Sequence, residues 1–291
     1  MESYGVLVDN EVITPFGLVK ALKIPPPLSL DEVITLSKRG IDIIEQLMHC
    51  STNAEKRDAT ISVEDVTILP PVPLPPKIVC LGLNYRDHIK EQNKKISSEP
   101  VIFMKPRTAV IGSEQPIIRP SFVKQLDYEA ELAIVIGRKG KDIPVSHAKE
   151  YIFGFTVLND VSARDIQFKD KQWTRGKSFD TFAPMGPCIT TANQIENPNN
   201  LQIRTRVNGE LRQNSSTKNM ILNVYEVVNY LSVVMTLELG DIIATGTPAG
   251  VGVFMKPKPK FLSAGDVVEI EIEGIGILRN NVAESERDWQ T

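Results

Sequence analysis

Apolar and polar positions along the chain recur at two spacings, every second residue or at helical intervals, and each spacing predicts an element. Tyr4–Val8 and Glu11–Thr14 flank Asp9-Asn10, the pattern of two short strands joined by a hairpin turn. Ser29-Leu-Asp-Glu32 then offers a capping box, because the Ser29 hydroxyl and the Glu32 carboxylate can each take an orphan amide at a helix start. Gly40 is expected to end that helix, and Ile41, Ile44, Leu47 and Met48 form the stripe of a second amphipathic one. Residues 1–69 bring no reactive side chains to a useful spacing, so they read as a small α+β domain with a packing or dimer-shaping role. Residues 70–76, with five prolines in seven positions, cannot form a helix or an interior strand and mark a connector.

From residue 77 onward strands predominate. Lys77–Leu83 is a short buried strand leading into Asn84, the expected cap of a helix that carries His88 and Glu91 on one face. The carboxylate can orient the imidazole there, although a His-x-x-Glu pair on a polar helix is also an ordinary solvated pair. Val101–Lys105 is another apolar strand, and Lys105 reads as a side chain snorkelling from its end or as a guide for an anion. Asp127–Gly137 reads as one strand, with Glu129 and Glu131 on one face and Ala130, Leu132, Ile134 and Ile136 on the other. Phe153–Asn159 is a strand ending at Asp160. Two carboxylates about 7 Å apart along a strand, with a third from a neighbour, can converge on a hard cation with oxygen ligands at about 2.0 to 2.6 Å.

The remaining segments frame that cluster. Arg164 and Asp165 read as a pair holding a turn, and residues 172–187 as a long loop carrying Lys177, a partner for developing negative charge or a plain exposed lysine. His147 reads as a surface residue. Leu201–Val207, Asn208-Gly209 and Glu210–Gln213 form a hairpin, Ser215–Ile221 is expected to cap a helix over Val224–Leu237, and Ala264–Gly274 is an alternating strand. Gly240–Gly252 runs from strand into a glycine-rich turn that lacks the Gly-Lys-Ser/Thr of a phosphate loop; its amides, with Thr245 and Thr247, could receive a carboxylate.

Composition narrows the function classes without choosing among them. The 291 residues are 42% hydrophobic and 24% charged with a net charge of −3, which gives no support to nucleic-acid or membrane binding. No apolar run has the length of a spanning helix, and the start lacks a basic, apolar leader, so a cytoplasmic protein is expected. Cys50, Cys80 and Cys188 are few, far apart and without a CxxC pair, which points to reduced structural thiols.

Six motifs in order resemble the fumarylacetoacetate hydrolase family: Gly82-Leu-Asn-Tyr-Arg-Asp-His88 with Glu91, Pro100–Pro106, Asp127-Tyr-Glu-Ala-Glu131, Asn159–Asp165, Lys177-Ser-Phe-Asp with Pro184–Pro187, and Thr245–Gly252. The resemblance implies a mainly β (α+β) fold, with a rolled mixed-sheet domain over residues 77–291, a homodimer, and a divalent metal, Mg²⁺ or else Mn²⁺ or Ca²⁺. In its light Glu129, Glu131 and Asp160 look like metal ligands, His88 and Glu91 like a water-activating pair, Gln167 and Lys177 like residues near the metal-bound oxygens, and Tyr85, Arg164 and Thr247 like substrate contacts. The activity it implies is hydrolysis of a C–C bond in a 2,4-dioxo acid such as an acylpyruvate, by way of an enolate held on the metal. Isomerisation, decarboxylation or dehydration of a 2-oxo or hydroxy-dienoic acid uses the same site. A non-catalytic protein with a structural calcium site is the alternative from another class, and it predicts that His88 and Lys177 lie out of the metal's reach.

Overall fold

The computed structural model describes residues 3–21, 26, 29–96 and 99–286. Met1 and Glu2, part of the start read as lacking a leader, lie outside the described residues, as do 287–291 at the end of the expected larger domain. The chain divides into two compact units, residues 1–68 and 69–291.

In the first unit β1 (Val6–Val8), β2 (Glu11–Ile13) and β3 (Thr60–Ser62) form an antiparallel sheet. Among the described residues three α-helices lie between its second and third strands: α1 (Leu30–Leu36), α2 (Lys38–Cys50) and α3 (Asn53–Asp58). The Ser29 hydroxyl accepts from the Glu32 amide at the start of α1. Gly40 does not end that helix. The break is at Ser37, with φ of 51°, while Gly40 sits inside α2 where a Cβ would lie 2.5 Å from the Val33 carbonyl oxygen. Gly40 is there for close helix approach, and Leu47, Leu18, Ile13 and Ala59 make the small core beneath.

The strands of the second unit, in chain order, are β4 (Ile78–Gly82), β5 (Val101–Lys105), β6 (Val110–Ile111), β7 (Ile117–Arg119), β8 (Leu126–Asp127), β9 (Ala130–Ile136), β10 (Ile152–Asn159), β11 (Ser162–Ala163), β12 (Ala183–Thr191), β13 (Gln202–Val207), β14 (Glu210–Ser216), β15 (Ile242–Ala244), β16 (Val267–Ile272) and β17 (Gly276–Glu284). Seven of them make a mixed sheet in the order β5-β4-β15-β9-β10-β12-β6, and five make a second in the order β14-β13-β16-β17-β7. One core joins the two, with Leu132, Ile134 and Phe155 from the first sheet and Ile203, Ile270 and Leu278 from the second. This is the mainly β, rolled mixed-sheet architecture of the family resemblance, with helices α4 (Arg86–Glu91), α5 (Arg164–Gln167), α6 (Thr174–Lys177) and α7 (Val224–Val234) between its strands.

Several local expectations shift. The hairpin forms at Asn208-Gly209, both at positive φ (51° and 79°), as an Asn-Gly turn requires. The cap of α7 is not in 215–221; Asn223 takes the amides of Tyr225 and Glu226 in a full capping box, and Ser215 and Ser216 end β14. The stretch 172–187 is no long loop, because α6 and the first half of β12 occupy it. Strand β17 carries no regular alternation of apolar residues strong enough to be anticipated.

Candidate active site

The expected single strand over 127–137 is two strands with a break. β8 ends at Asp127, β9 begins at Ala130, and Glu129 sits in the gap. Every residue of β9 is buried: its edges pair with β15 and β10, and Ala130, Leu132, Ile134 and Ile136 enter the core. The gap is stitched to the end of β10: the Glu129 amide donates to Asn159 Oδ1 at 3.0 Å, and the Asp160 amide donates to the Glu129 carbonyl at 2.9 Å. These two bonds bring Glu129, Glu131 and Asp160 together, with one carboxylate oxygen of each lying within 4.8 Å of the others. All three are buried.

Three cations answer this acidic cluster. Lys177 Nζ donates to Glu129 Oε2 at 2.7 Å and to Asp160 Oδ2 at 2.6 Å. Lys105 does not snorkel: it is buried, 2.6 Å from Asp160 Oδ1, and donates to the carbonyls of Val161 and Lys177. Arg164 pairs not with Asp165 but with Asp127 Oδ2 at 2.9 Å and Glu129 Oε1 at 2.7 Å. Burial alone would push Glu129 up, but Lys177, Arg164 and His88 outweigh it and hold that carboxyl well below the usual range. Burial pushes Glu131 far up, and the negative charges of Asp160 and Glu129 add to it. Burial works against charge on Lys177 too, yet Asp160 and Glu129 raise it above the ordinary lysine value, so it stays an ammonium. A lysine held this way stabilises negative charge and is no general base.

The glycine-rich turn does receive carboxylates, but they are the protein's own. The amides of Gly246, Gly250 and Gly252 donate to Glu131, Glu91 and Asp127 respectively, and that of Val253 also donates to Asp127. The turn is therefore a jig that fixes the acidic side chains. Gly252 is required by close approach, since a Cβ would stand 2.2 Å from the Lys260 carbonyl oxygen and 2.6 Å from Asp127 Oδ1. Gly252→Ala is expected to destabilise the fold by about 1–3 kcal/mol through this overpacking, read by urea denaturation; unchanged stability would remove the turn from this role.

Asn84 does not cap α4. Its amide donates to the Thr245 and Leu222 carbonyls and its oxygen accepts from the Leu222 amide, tying the strand end to the turn. On α4, His88 Nδ1 lies 2.6 Å from Glu91 Oε1, and Glu91 Oε2 takes the Gly250 amide at 3.0 Å. A carboxylate only accepts, so Nδ1 carries the proton and Nε2 is left as a proton acceptor. Gln167 Oε1 accepts from Arg164 Nη1, and Thr247 Oγ1 accepts from Gln213 Nε2. Among the described residues Tyr85 Oη and Arg164 Nη2 are buried donors without a hydrogen-bond partner. Lys105 and Asn159 lie within two of the family-like motifs but were not read as partners of the acidic cluster, Gln213 in the middle of β14 had no sequence signal, and His147 is exposed as read.

The donor set fits a hard divalent cation. Asp160 Oδ1 is buried and, among the described residues, takes no hydrogen bond despite the nearby Lys105 charge, so a lone pair remains within the three-carboxylate cluster. Residues 77–283 match the model of the fumarylacetoacetate hydrolase C-terminal family. The chain is 45% identical over 254 residues to the oxaloacetate tautomerase FAHD2B, mitochondrial, of Bos taurus, covering 85% of this chain and 81% of that one. Among solved structures it is similar to the fumarylacetoacetate hydrolase of Exiguobacterium antarcticum, with TM-score 0.75, 43% identity and 88% of each chain covered. It is similar too to a 2-hydroxyhepta-2,4-diene-1,7-dioate isomerase of Mycobacterium marinum, with TM-score 0.68, 43% identity, and 78% of this chain and 82% of that one covered. With residues 77–283, about seven tenths of its length, matched, the chain belongs to the fumarylacetoacetate hydrolase family.

Proposed function

We propose that the protein is a divalent-metal-dependent enzyme of small 2-oxo acids that moves a proton at an enolisable carbon, with enol–keto interconversion of an oxaloacetate-like acid as its reaction. The observation that carries this reading is His88: Glu91 fixes its Nδ1 at 2.6 Å, which in the neutral imidazole leaves Nε2 as the proton acceptor. Glu129, Glu131 and Asp160 would hold the cation, Mg²⁺ in the first instance, which when bound supplies Lewis-acid stabilisation of charge on the acid's oxygens.

The chain's own residues supply the rest. In the enol-to-keto direction the enol hydroxyl loses its proton, the electron pair moves to make C2=O, and C3 gains a proton; His88 Nε2 accepts and returns the proton. Lys177 stays charged beside the cluster and offsets the negative charge that builds on oxygen. The unpartnered donors Tyr85 Oη and Arg164 Nη2 suit an anionic acid, which would satisfy them.

Hydrolysis of the C–C bond of a 2,4-dioxo acid is the second reading, favoured by the likeness to the hydrolase of Exiguobacterium antarcticum. It needs the same His88 to take a proton from water instead of from substrate. Oxaloacetate, acetylpyruvate, fumarylpyruvate, a 2-hydroxy-dienoate and a 2-keto-3-deoxy sugar acid, each assayed with Mg²⁺ and with a chelator, separate the two. We expect Mg²⁺-dependent tautomerisation of oxaloacetate to exceed turnover of the others. No Mg²⁺-dependent rate with any of the five overturns the assignment, and faster cleavage of an acylpyruvate replaces it with hydrolysis.

A further inference from the structure

Gln213 has no place in the chemistry above, yet it is wholly buried and uses all four of its hydrogen-bonding positions. Its Oε1 accepts from the Ala130 amide at 3.0 Å and from the Thr205 hydroxyl at 2.8 Å. Its Nε2 donates to the Pro248 carbonyl at 2.9 Å and to Thr247 Oγ1 at 2.8 Å. Two of these partners fix the amide's orientation without ambiguity. A backbone N–H can only donate, so Ala130 must face the oxygen; a backbone carbonyl can only accept, so Pro248 must face the nitrogen.

The consequence falls on Thr247. Its oxygen is obliged to accept from Gln213, so its own proton must be directed elsewhere. Among the described residues no protein group takes that proton, although the side chain is 5% exposed. Ala130 lies between Glu129 and Glu131, so the same amide group that sets the direction of the Thr247 hydroxyl also holds the peptide between two of the cluster's carboxylates. We infer that Gln213 is a positioning residue that locks Thr247 as a hydrogen-bond donor toward a carboxylate oxygen of the bound acid. This rests on the reading of the site as one for metal-chelating 2-oxo acids.

The probe is oxalate, a dicarboxylate that binds such a site without turnover, titrated by calorimetry into the Mg²⁺-loaded protein. Gln213→Glu keeps the acceptor for Ala130 but has no donor, so the Thr247 hydroxyl turns back to donate to the new carboxylate. Oxalate affinity should fall about tenfold or more, the scale of a lost hydrogen bond to a charged group, while Mg²⁺ affinity stays within about threefold of the parent. Gln213→Met, which introduces no charge, is the second variant if Gln213→Glu does not fold. Thr247→Val should cause a like loss, and adding Gln213→Met to Thr247→Val should cost less than about twofold more. A residue with a merely structural role would give additive losses and would lower Mg²⁺ affinity as well; either result overturns the proposal, as does parent-like oxalate affinity in both Gln213 variants. If the parent protein binds Mg²⁺ but not oxalate, the 2-oxo acid reading falls and takes this inference with it, a result distinguishable from failure of the Gln213 variants alone.

Discussion

Asp160→Ala should remove the metal site and much of the protein's stability together, whereas Glu131→Gln should remove the metal site alone. Asp160 is fully buried and holds two buried ammonium groups, Lys105 and Lys177, each at 2.6 Å. Without it Lys177 keeps Glu129, but Lys105 is left, among the described residues, with two carbonyl oxygens. Removing one partner of a buried ion pair costs about 3–5 kcal/mol, because the remaining charge stays desolvated. Glu131 is the opposite case. Among the described residues no cation pairs with it directly, its polar contact is the Gly246 amide, and burial with two negative neighbours already disfavours its ionised form. A neutral amide keeps that contact and relieves the repulsion, so stability without metal should change by no more than about 0.5 kcal/mol or should rise. Both substitutions should lower Mg²⁺ affinity by about a hundredfold or more. Calorimetric Mg²⁺ titration beside urea denaturation reads both effects, and retention of parent Mg²⁺ affinity in either variant removes that residue from the ligand set.

This contrast shows where sequence reasoning reaches its physical limit. Spacing along a strand is local information, so it could suggest Glu129 and Glu131 as a pair and Asp160 as a third group at a strand end. It could not show that the strand breaks at Glu129, because that break is held by Asn159 and Asp160 across the sheet. The partners of Lys105 lie 55 or more positions along the chain, so its solitary appearance at a strand end favoured snorkelling. The prolines of 184–187 suggested a loop for a sound reason, the missing N–H, yet the strand tolerates them. β6 pairs with β12 only at Ala183 and Pro184, and the pairing with β10 shifts register beyond Gly186, so the ladder asks little of Pro187. Gln213 is the extreme case, a mid-strand glutamine whose four partners come from three separate segments. The overall architecture was legible because burial patterns repeat along each element; the orientation of single polar groups was not, because it is decided by partners distant in sequence.

His88→Ala should leave Mg²⁺ affinity within about threefold of the parent, since His88 is no member of the carboxylate cluster, and should lower turnover by about 10²–10⁴-fold, the range for a lost general base. Glu91→Gln is the sharper test. Glu91 serves two donors at once, the Nδ1–H of His88 and the Gly250 amide. A glutamine has one accepting atom. If its oxygen faces Gly250, its NH₂ faces Nδ1 and favours the tautomer with the proton on Nε2, which can no longer accept. If its oxygen faces His88, two donors confront each other at Gly250 and the turn that also fixes Glu131 is strained. Either arrangement should cost about 10²-fold or more in turnover despite near-identical shape. Because both residues act through one proton-accepting nitrogen, the double variant should be little slower than His88→Ala alone. Steady-state tautomerisation of oxaloacetate with saturating Mg²⁺ measures all three variants. Full turnover in His88→Ala would remove the imidazole from the chemistry, and independent, multiplying losses in the double variant would mean that Glu91 acts on the turn and not on the histidine.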